Sequence, residues 1–223
     1  MTTSGTDKPT GMLSQDVSHE DRFSAWLQAN AKAVGIGAGV VALIVAGTWF
    51  MSVSKARKEN FARTQLEQAW GAADAGNVPQ ASAELQKVVD TYGGTQAALT
   101  ARLTLNETRL SAGQAQLAAD DLTAFVQSNP PARARAQAGM LLGAALENLG
   151  KAAEAAAAYE AAAQAAEMDY AKGEALLGAA RAWRAAGQND KAATALRTII
   201  EKYPETSAHS VAEVRLGEVL KGS

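Results

Sequence analysis

Few side chains in this sequence have the types and spacing that catalysis or metal binding requires. The 223 residues include two histidines, His19 and His209, and no cysteine. These histidines lie near opposite ends of the chain, so they do not predict a shared metal ion or a proton relay. Asp120 and Asp121 are adjacent, and adjacent side chains on a helix diverge by about 100°, so they cannot face each other as an acid–base pair.

No phosphate-binding loop, nucleophile elbow, zinc-protease motif or calcium-binding loop occurs either. Gly35, Gly37 and Gly39 have the spacing of a dinucleotide-binding loop, but no predicted strand precedes them. Lysine and arginine number 21 against 23 aspartates and glutamates, so the basic excess typical of nucleic-acid binding is missing. We therefore expect a protein that is not an enzyme and binds no cofactor, metal ion, nucleic acid or small-molecule substrate.

The elements that must position the remaining side chains are predicted to be helices. Hydrophobic residues make up 48% of the chain and aromatic residues only 5%, and alanine is the commonest apolar residue. This composition favours closely packed helices over strands. The predicted fold class is all-α.

The longest uncharged stretch predicts one transmembrane helix near the N-terminus. Residues 33–53 carry no charge and, as a helix, would span about 32 Å, which matches the hydrocarbon core of a bilayer. Lys32 and Lys55 bound the stretch, and Trp49 lies where interfacial aromatic residues occur. A buried core helix is an alternative. A cleaved signal peptide is another, because residues 52–54 loosely fit a small-x-small cleavage site.

One face of this predicted span carries small residues at helical spacing. The residues are Gly35, Ala38, Gly39, Ala42 and Ala46. Small residues four positions apart let a second membrane helix approach closely, although they are also common in any span. We expect them to form a helix-packing face.

The strongest regularity is a repeat of 37 residues that is marked by Gly76, Gly113, Gly150 and Gly187. Five residues after each glycine comes an alanine, and nine and twelve residues after it come apolar residues in most copies. The alanines are Ala81, Ala118, Ala155 and Ala192; the following positions hold Leu85, Leu122, Tyr159 and Leu196, then Val88, Phe125, Ala162 and Ile199. The pattern predicts hairpins of a helix A and a helix B. The glycine turns between them through a positive φ or a close backbone approach, and the alanine lies where the two helices cross.

This pattern resembles the second half of the tetratricopeptide repeat consensus, and Leu142-Gly143 and Trp183 resemble its first half. The period exceeds the usual length of about 34 residues, and we assign the difference to the turn between helix B and the next helix A. The resemblance implies an α-solenoid of about four helical hairpins. One more helix, about Ala208 to Lys221, is expected to cap it.

The family's inner-face positions, counted back from each glycine, predict a groove for a protein partner. The residues are Trp70, Leu103, Glu107, Met140, Glu147, Leu177, Arg181 and Arg184. An apolar row beside a row of mixed charge predicts that an amphipathic or extended segment binds through apolar anchors flanked by charge. We expect the charges to contribute little to stability. The lysine and asparagine of the family's chaperone-tail clamp are missing from these rows.

Three segments follow from these patterns. Residues 1–32 are mostly polar and predict a largely disordered tail, in which a short helix at the membrane interface begins at Phe23. Residues 33–53 predict the transmembrane helix, and residues 54–223 predict the repeat domain. Helix A of the first repeat, around Phe61 to Ala75, follows the span so closely that one helix can run through both.

A second resemblance rests on this layout and on the segment Asp21-Arg22-Phe23, Trp26 and Asn30-x-Lys32, which leads into a glycine-rich span. It is similar to the YfgM-like proteins of the bacterial inner (cytoplasmic) membrane. The resemblance implies a single-pass protein with a periplasmic repeat domain. Such a protein would serve the protein-export machinery and the periplasmic chaperone network, with the SecYEG translocon and a membrane-anchored periplasmic foldase as partners.

The charges beside the span predict the opposite orientation. More basic residues follow the span than precede it, so the positive-inside rule places the repeat domain in the cytoplasm. The polar, acidic tail and the YfgM-like layout favour the periplasm, which is our expectation. The alternative function is a structural subunit that braces another membrane complex, respiratory or photosynthetic.

Overall fold

The computed structural model describes residues 19–221, and all regular secondary structure in this range is helical. The helices are α1 (His19–Ala29), α2 (Ala31–Asp74), α3 (Val78–Thr91), α4 (Gln96–Ser111), α5 (Ala115–Gln127), α6 (Ala132–Asn148), α7 (Ala152–Ala165), α8 (Asp169–Ala185), α9 (Asn189–Lys202) and α10 (Ser207–Lys221). The chain divides into two compact units, Met1–Ser54 and Lys55–Ser223, with the division inside α2.

The first unit contains α1 and the N-terminal part of α2. α1 begins at His19, so the helix starts before Phe23 and the part of the predicted disordered tail from residue 19 to 29 is helical. Apolar residues at i, i+3 and i+4 (Phe23, Trp26 and Leu27) give this segment the helical period, and the first two rings stack at 6.3 Å. Residues 1–18 of the predicted tail lie outside the described residues.

The predicted span lies entirely within α2. This helix is long and apolar enough to cross a membrane, a property that core helices and signal sequences share. A core helix would be mostly buried, whereas none of the most apolar part of α2 is buried and its large side chains, such as Leu43 and Ile44, are exposed. Beyond this stretch α2 continues to Asp74, so one helix also provides helix A of the first repeat.

The second unit consists of alternating helices from Lys55 onward. The A helices are the end of α2, α4, α6, α8 and α10, and the B helices are α3, α5, α7 and α9. The four predicted hairpins are present, and α10 is the expected extra helix. Buried residues of consecutive helices form a chain of apolar clusters along the unit, from α2 with α3 and α4 to α6 through α10.

The four repeat glycines end the A helices in the same way. Gly76, Gly113, Gly150 and Gly187 have φ values of 76°, 73°, 72° and 72°. Each glycine N–H donates to the carbonyl three residues earlier, and the next N–H donates to the carbonyl five residues earlier, which defines a Schellman motif. No atom lies within 4 Å of a Cβ built at these glycines. Of the two predicted reasons for glycine, positive φ is therefore confirmed.

The predicted crossing positions are also confirmed. Ala81, Ala118, Ala155 and Ala192 each have 0% exposure. The apolar residues nine and twelve positions after each glycine are buried as well. A methyl group fits where helices A and B cross, and each larger apolar side chain on helix B adds about 1.5–3 kcal/mol of burial free energy.

Side chains of α2 also cap the N-terminus of α4. The Glu59 carboxylate accepts hydrogen bonds from the backbone N–H groups of Gln96 at 2.7 Å and Ala97 at 3.0 Å. The Lys58 ammonium donates to the Gly93 carbonyl at 2.9 Å. A carboxylate at a helix N-terminus accepts from backbone N–H groups that have no partner within the helix, and it interacts favourably with the helix dipole. These contacts fix α2 to the second hairpin from Lys58 onward.

Candidate partner-binding surface

The A helices leave two clefts between neighbouring members. One lies between α4 and α6 and has a volume of about 790 Å³. The other lies between α8 and α10 and has a volume of about 630 Å³. Clefts of this size between helices hold a few side chains of a bound segment.

The α4/α6 cleft contains three of the predicted groove residues, Leu103, Glu107 and Met140. Leu103 and Met140 are half-buried, so part of each side chain faces the cleft. The remaining lining is apolar or uncharged polar, apart from Arg133 at the start of α6. The structure thus brings these three residues together as predicted, and it adds Arg133, which the sequence pattern did not single out.

The α8/α10 cleft contains two other predicted residues, Arg181 and Arg184. Arg184 forms an ion pair with Glu218 of α10, with Nη1 3.1 Å from Oε2. Val211 and Val214 of α10 also line this cleft. Its charged residues are therefore partly neutralised by contacts between the A helices.

Between α6 and α8 the corresponding space is filled by three side chains. The Arg181 guanidinium donates two hydrogen bonds to the Glu147 carboxylate, at 3.0 and 2.8 Å. The Tyr159 hydroxyl of α7 donates to the same carboxylate at 2.8 Å and accepts from Arg181 at 3.3 Å. We call Glu147, Tyr159 and Arg181 the α6–α8 clamp. It joins three helices.

Two glycines admit the tyrosine ring of this clamp. A Cβ built on Gly143 of α6 would lie 2.6 Å from the Tyr159 ring, and one on Gly178 of α8 would lie 2.9 Å from it. Real Cβ atoms do not approach so closely, so only glycine lets α6 and α8 both pack this tightly against the ring. This close approach explains the glycine of the Leu142-Gly143 pair.

The clamp changes the protonation of its members. Burial raises the pKa of Tyr159 well above its ordinary value of 10.0, and the hydrogen bond to Glu147 raises it further. Burial also acts to raise the pKa of Glu147, but the hydrogen bonds from Arg181 and Tyr159 outweigh it, so the pKa falls below 4.5. The carboxylate is therefore ionised, and the tyrosine protonated, across the neutral range.

Two ion pairs between A helices share the same spacing along the chain. Glu147 pairs with Arg181, and Arg184 pairs with Glu218, and in both cases the two residues are 34 positions apart. The sign of the charge is reversed between the first pair and the second. The expectation that Arg181 and Arg184 contribute little to stability stays a prediction, and the hydrogen bonds of Arg181 to Glu147 and Tyr159 are where it can be tested.

Two further residues of the predicted groove, Leu177 and Trp70, line neither cleft. Leu177 is 8% exposed and packs in the apolar core of α6 through α10, because its position on α8 faces the neighbouring helices. Trp70 is exposed on α2 but lines neither cleft. Tyr159, which the pattern assigned to the core, also contributes a polar contact. The sequence did hold a sign of this contact, because Tyr159 stands nine residues after its turn glycine, where the other three repeats have leucine.

The small-residue face of α2 has no packing partner among the described residues. Gly35, Ala38, Gly39, Ala42 and Ala46 are all exposed, and no atom lies within 4 Å of a Cβ built on either glycine. Their role as a helix-packing face stays a prediction.

Asp121 of α5 accepts a hydrogen bond from the buried Asn106 of α4 at 2.7 Å, so this aspartate has a structural role.

Comparison with solved structures supports the repeat fold. A tetratricopeptide repeat protein from Parabacteroides merdae matches with a TM-score of 0.57 and 14% identity, over 72% of this chain and 60% of that chain. The chain thus spans less than two thirds of that relative. Repeats of a putative kinesin light chain from Podosopora anserina match with a TM-score of 0.56 and 21% identity, over 71% of this chain and 85% of that chain.

Comparison with curated protein sequences gives no match. Family models do match. A tetratricopeptide repeat model matches residues 174–206, and a tetratricopeptide repeat-like domain model matches residues 24–142, which is more than half of the chain. Such repeats indicate a scaffold for protein–protein interaction and are typically not catalytic. The chain belongs to the tetratricopeptide repeat-like domain family.

Proposed function

We propose that this protein is a scaffold anchored in a membrane by the N-terminal part of α2. The observation that carries the proposal is the exposure of an uncharged stretch, residues 33–53, in a helix long enough to span a bilayer. In water, so large an exposed apolar surface would be unfavourable, and a lipid environment removes that cost. The match to the repeat-like domain model begins at residue 24, so it includes this stretch.

The proposed partners belong to the protein-export machinery. The resemblance to YfgM-like proteins supports an accessory role beside the SecYEG translocon and a membrane-anchored foldase, with the repeat unit in the periplasm. The open α4/α6 cleft supports a role in contacting a polypeptide segment. In this role the protein would help to pass emerging chains to other factors.

A second candidate is a structural subunit of another membrane complex. The unpartnered small-residue face of α2 favours it, because such a face would pack against a membrane helix of that complex. The repeat unit would then brace an extrinsic domain instead of contacting passing chains.

Affinity purification after mild detergent extraction distinguishes the two candidates. Co-purification of translocon and foldase subunits supports the first, and a stoichiometric redox complex supports the second. A photo-crosslinker at Met140 should trap a partner in the first case, whereas one at the exposed Lys191 of α9 should not. Crosslinks from Lys191 with none from Met140 would favour the brace.

A further inference from the structure

We propose that the α4/α6 cleft binds an extended polypeptide segment that has an apolar centre, a basic side chain at one end and an acidic side chain at the other. The inference rests on the proposed scaffold function and specifies the class of segment that one part of the scaffold recognises. It follows from the charges, the lining and the length of the cleft.

The charges of this cleft are unpaired. Glu107 of α4 and Arg133 of α6 are both exposed, and neither side chain has an ion pair or hydrogen bond to the side chains and backbone that the structure describes. In the α8/α10 cleft, by comparison, Arg184 and Glu218 pair with each other. An unpaired carboxylate and an unpaired guanidinium in one cleft are each complementary to an opposite charge on a partner.

The two charges lie at opposite ends of the cleft. α4 and α6 run in the same direction, because each leads through a turn into an antiparallel B helix. Gln96 and Arg133, at the starts of the two helices, line one end, and Glu107 follows Gln96 by three helical turns. This separation is about 16 Å along the helix axis, which equals about five residues of an extended chain.

The lining between the charges suits an extended segment. Leu103 and Met140 are half-buried and offer an apolar surface, and methionine adapts its shape to different side chains. Thr104 and Gln137 also line the cleft, and their side chains both donate and accept hydrogen bonds. They can therefore bond to a peptide backbone whatever its sequence.

Binding of four synthetic peptides to the full chain in lipid nanodiscs tests the inference by fluorescence anisotropy. The peptides share a Leu-Phe centre and carry Lys and Glu, two Lys, two Glu or two Ser at positions five residues apart. The unmodified protein should bind the Lys/Glu peptide about two- to fivefold more tightly than either like-charged peptide, as expected for exposed charge pairs. The preference should shrink at high salt.

Single charge reversals should change the preferred peptide. Glu107→Arg leaves two cations in the cleft and should favour the peptide with two Glu, whereas Arg133→Glu should favour the peptide with two Lys. Both side chains are exposed, so the thermal unfolding of the variants should match that of the unmodified protein. As a control, the double exchange Arg184→Glu and Glu218→Arg retains the α8–α10 ion pair and should leave the peptide preference unchanged.

An unchanged order of peptide affinities in the two charge-reversal variants would overturn the inference. So would failure of all four peptides to bind while affinity purification still recovers protein partners, and that result would leave the scaffold function intact. Charge-dependent peptide binding without any recovered translocon, foldase or redox complex would support the cleft inference and contradict the proposed partners.

Discussion

At the scale of single residues, the α6–α8 clamp shows how one substitution in a repeat changes the surface around it. The first, second and fourth repeats have leucine nine residues after the turn glycine. The third repeat has Tyr159 at this position. Its ring packs where leucine would pack, but its hydroxyl reaches Glu147 and orients that carboxylate towards Arg181. The same residue therefore closes the space between two A helices and holds two charges of the predicted groove in a pair with each other.

The clamp predicts a specific dependence of stability on pH. Because the folded protein lowers the pKa of Glu147 below 4.5, its ionised carboxylate stabilises the fold fully above that pH. The contribution is lost as the pH falls through the lowered pKa. We expect Glu147→Gln to reduce stability by about 1 kcal/mol at pH 7 and by much less at pH 3, as thermal unfolding would measure.

Glu218→Gln is the matched control for this prediction. Glu218 also pairs with an arginine, but its side chain is 52% exposed, against 25% for Glu147. Its replacement should change the unfolding temperature at pH 7 less than Glu147→Gln does. A deficit for Glu147→Gln that stays constant from pH 7 to pH 3 would show that the carboxylate charge does not carry the stabilisation.

The crossing alanines provide a second prediction at this scale. Ala118→Leu and Ala192→Leu should each destabilise the protein by about 1–3 kcal/mol, because a larger side chain overfills the contact between helices A and B. Ala157 is exposed on α7, and Ala157→Leu should change stability by at most about 0.5 kcal/mol. Denaturant unfolding measures all three. Equal effects would mean that the assigned faces of the B helices are wrong.

At the scale of helices and turns, the glycine spacing predicts which backbone turns need glycine and which glycines are replaceable. Gly150 has a φ of 72°, and Gly217 lies within α10 with open space where an added methyl group would sit. Gly150→Ala should therefore destabilise the protein by about 1 kcal/mol, whereas Gly217→Ala should stabilise it by about 0.5–1 kcal/mol.

Opposite signs for these two variants in the same unfolding assay are the expected result. Neither position has an atom within 4 Å of the added methyl group, so steric clashes do not contribute to the difference in stability between the two variants. Destabilisation by Gly217→Ala would indicate that α10 depends on a contact that the described residues lack.

The helices and turns were predictable from the sequence, whereas much of the partner-binding surface was not. Each B helix starts a fixed distance after its own glycine, so its buried face follows from local spacing. Counting by 37 identifies equivalent residues of successive A helices, but touching residues such as Glu147 and Arg181 are 34 apart. In α2 and α4, by contrast, Glu59 contacts Gln96 and Ala97, which are 37 and 38 positions away. The repeat period alone therefore does not reveal which side chains of neighbouring A helices touch.

At the scale of the repeat unit, the A-helix surface divides into unlike parts. The clamp fills the space between α6 and α8, while the α4/α6 cleft keeps two unpaired charges. Because an interface gains specificity from complementary charge, the α4/α6 cleft is the better candidate for selective contact. A partner that extends along the whole surface would have to cross the clamp, where the polar groups already bond to each other.

At the scale of the whole chain, the main prediction concerns anchoring. If residues 33–53 span a bilayer, the full-length protein should stay with membranes during carbonate extraction. A protein that lacks residues 1–54 retains the unit Lys55–Ser223, including the buried Ala62, Leu66 and Ala69 of α2. It should therefore be water-soluble, helical by circular dichroism and cooperative in thermal unfolding. Release of the full-length protein by carbonate, or a mature N-terminus at Lys55, would show that the apolar stretch is not a permanent anchor.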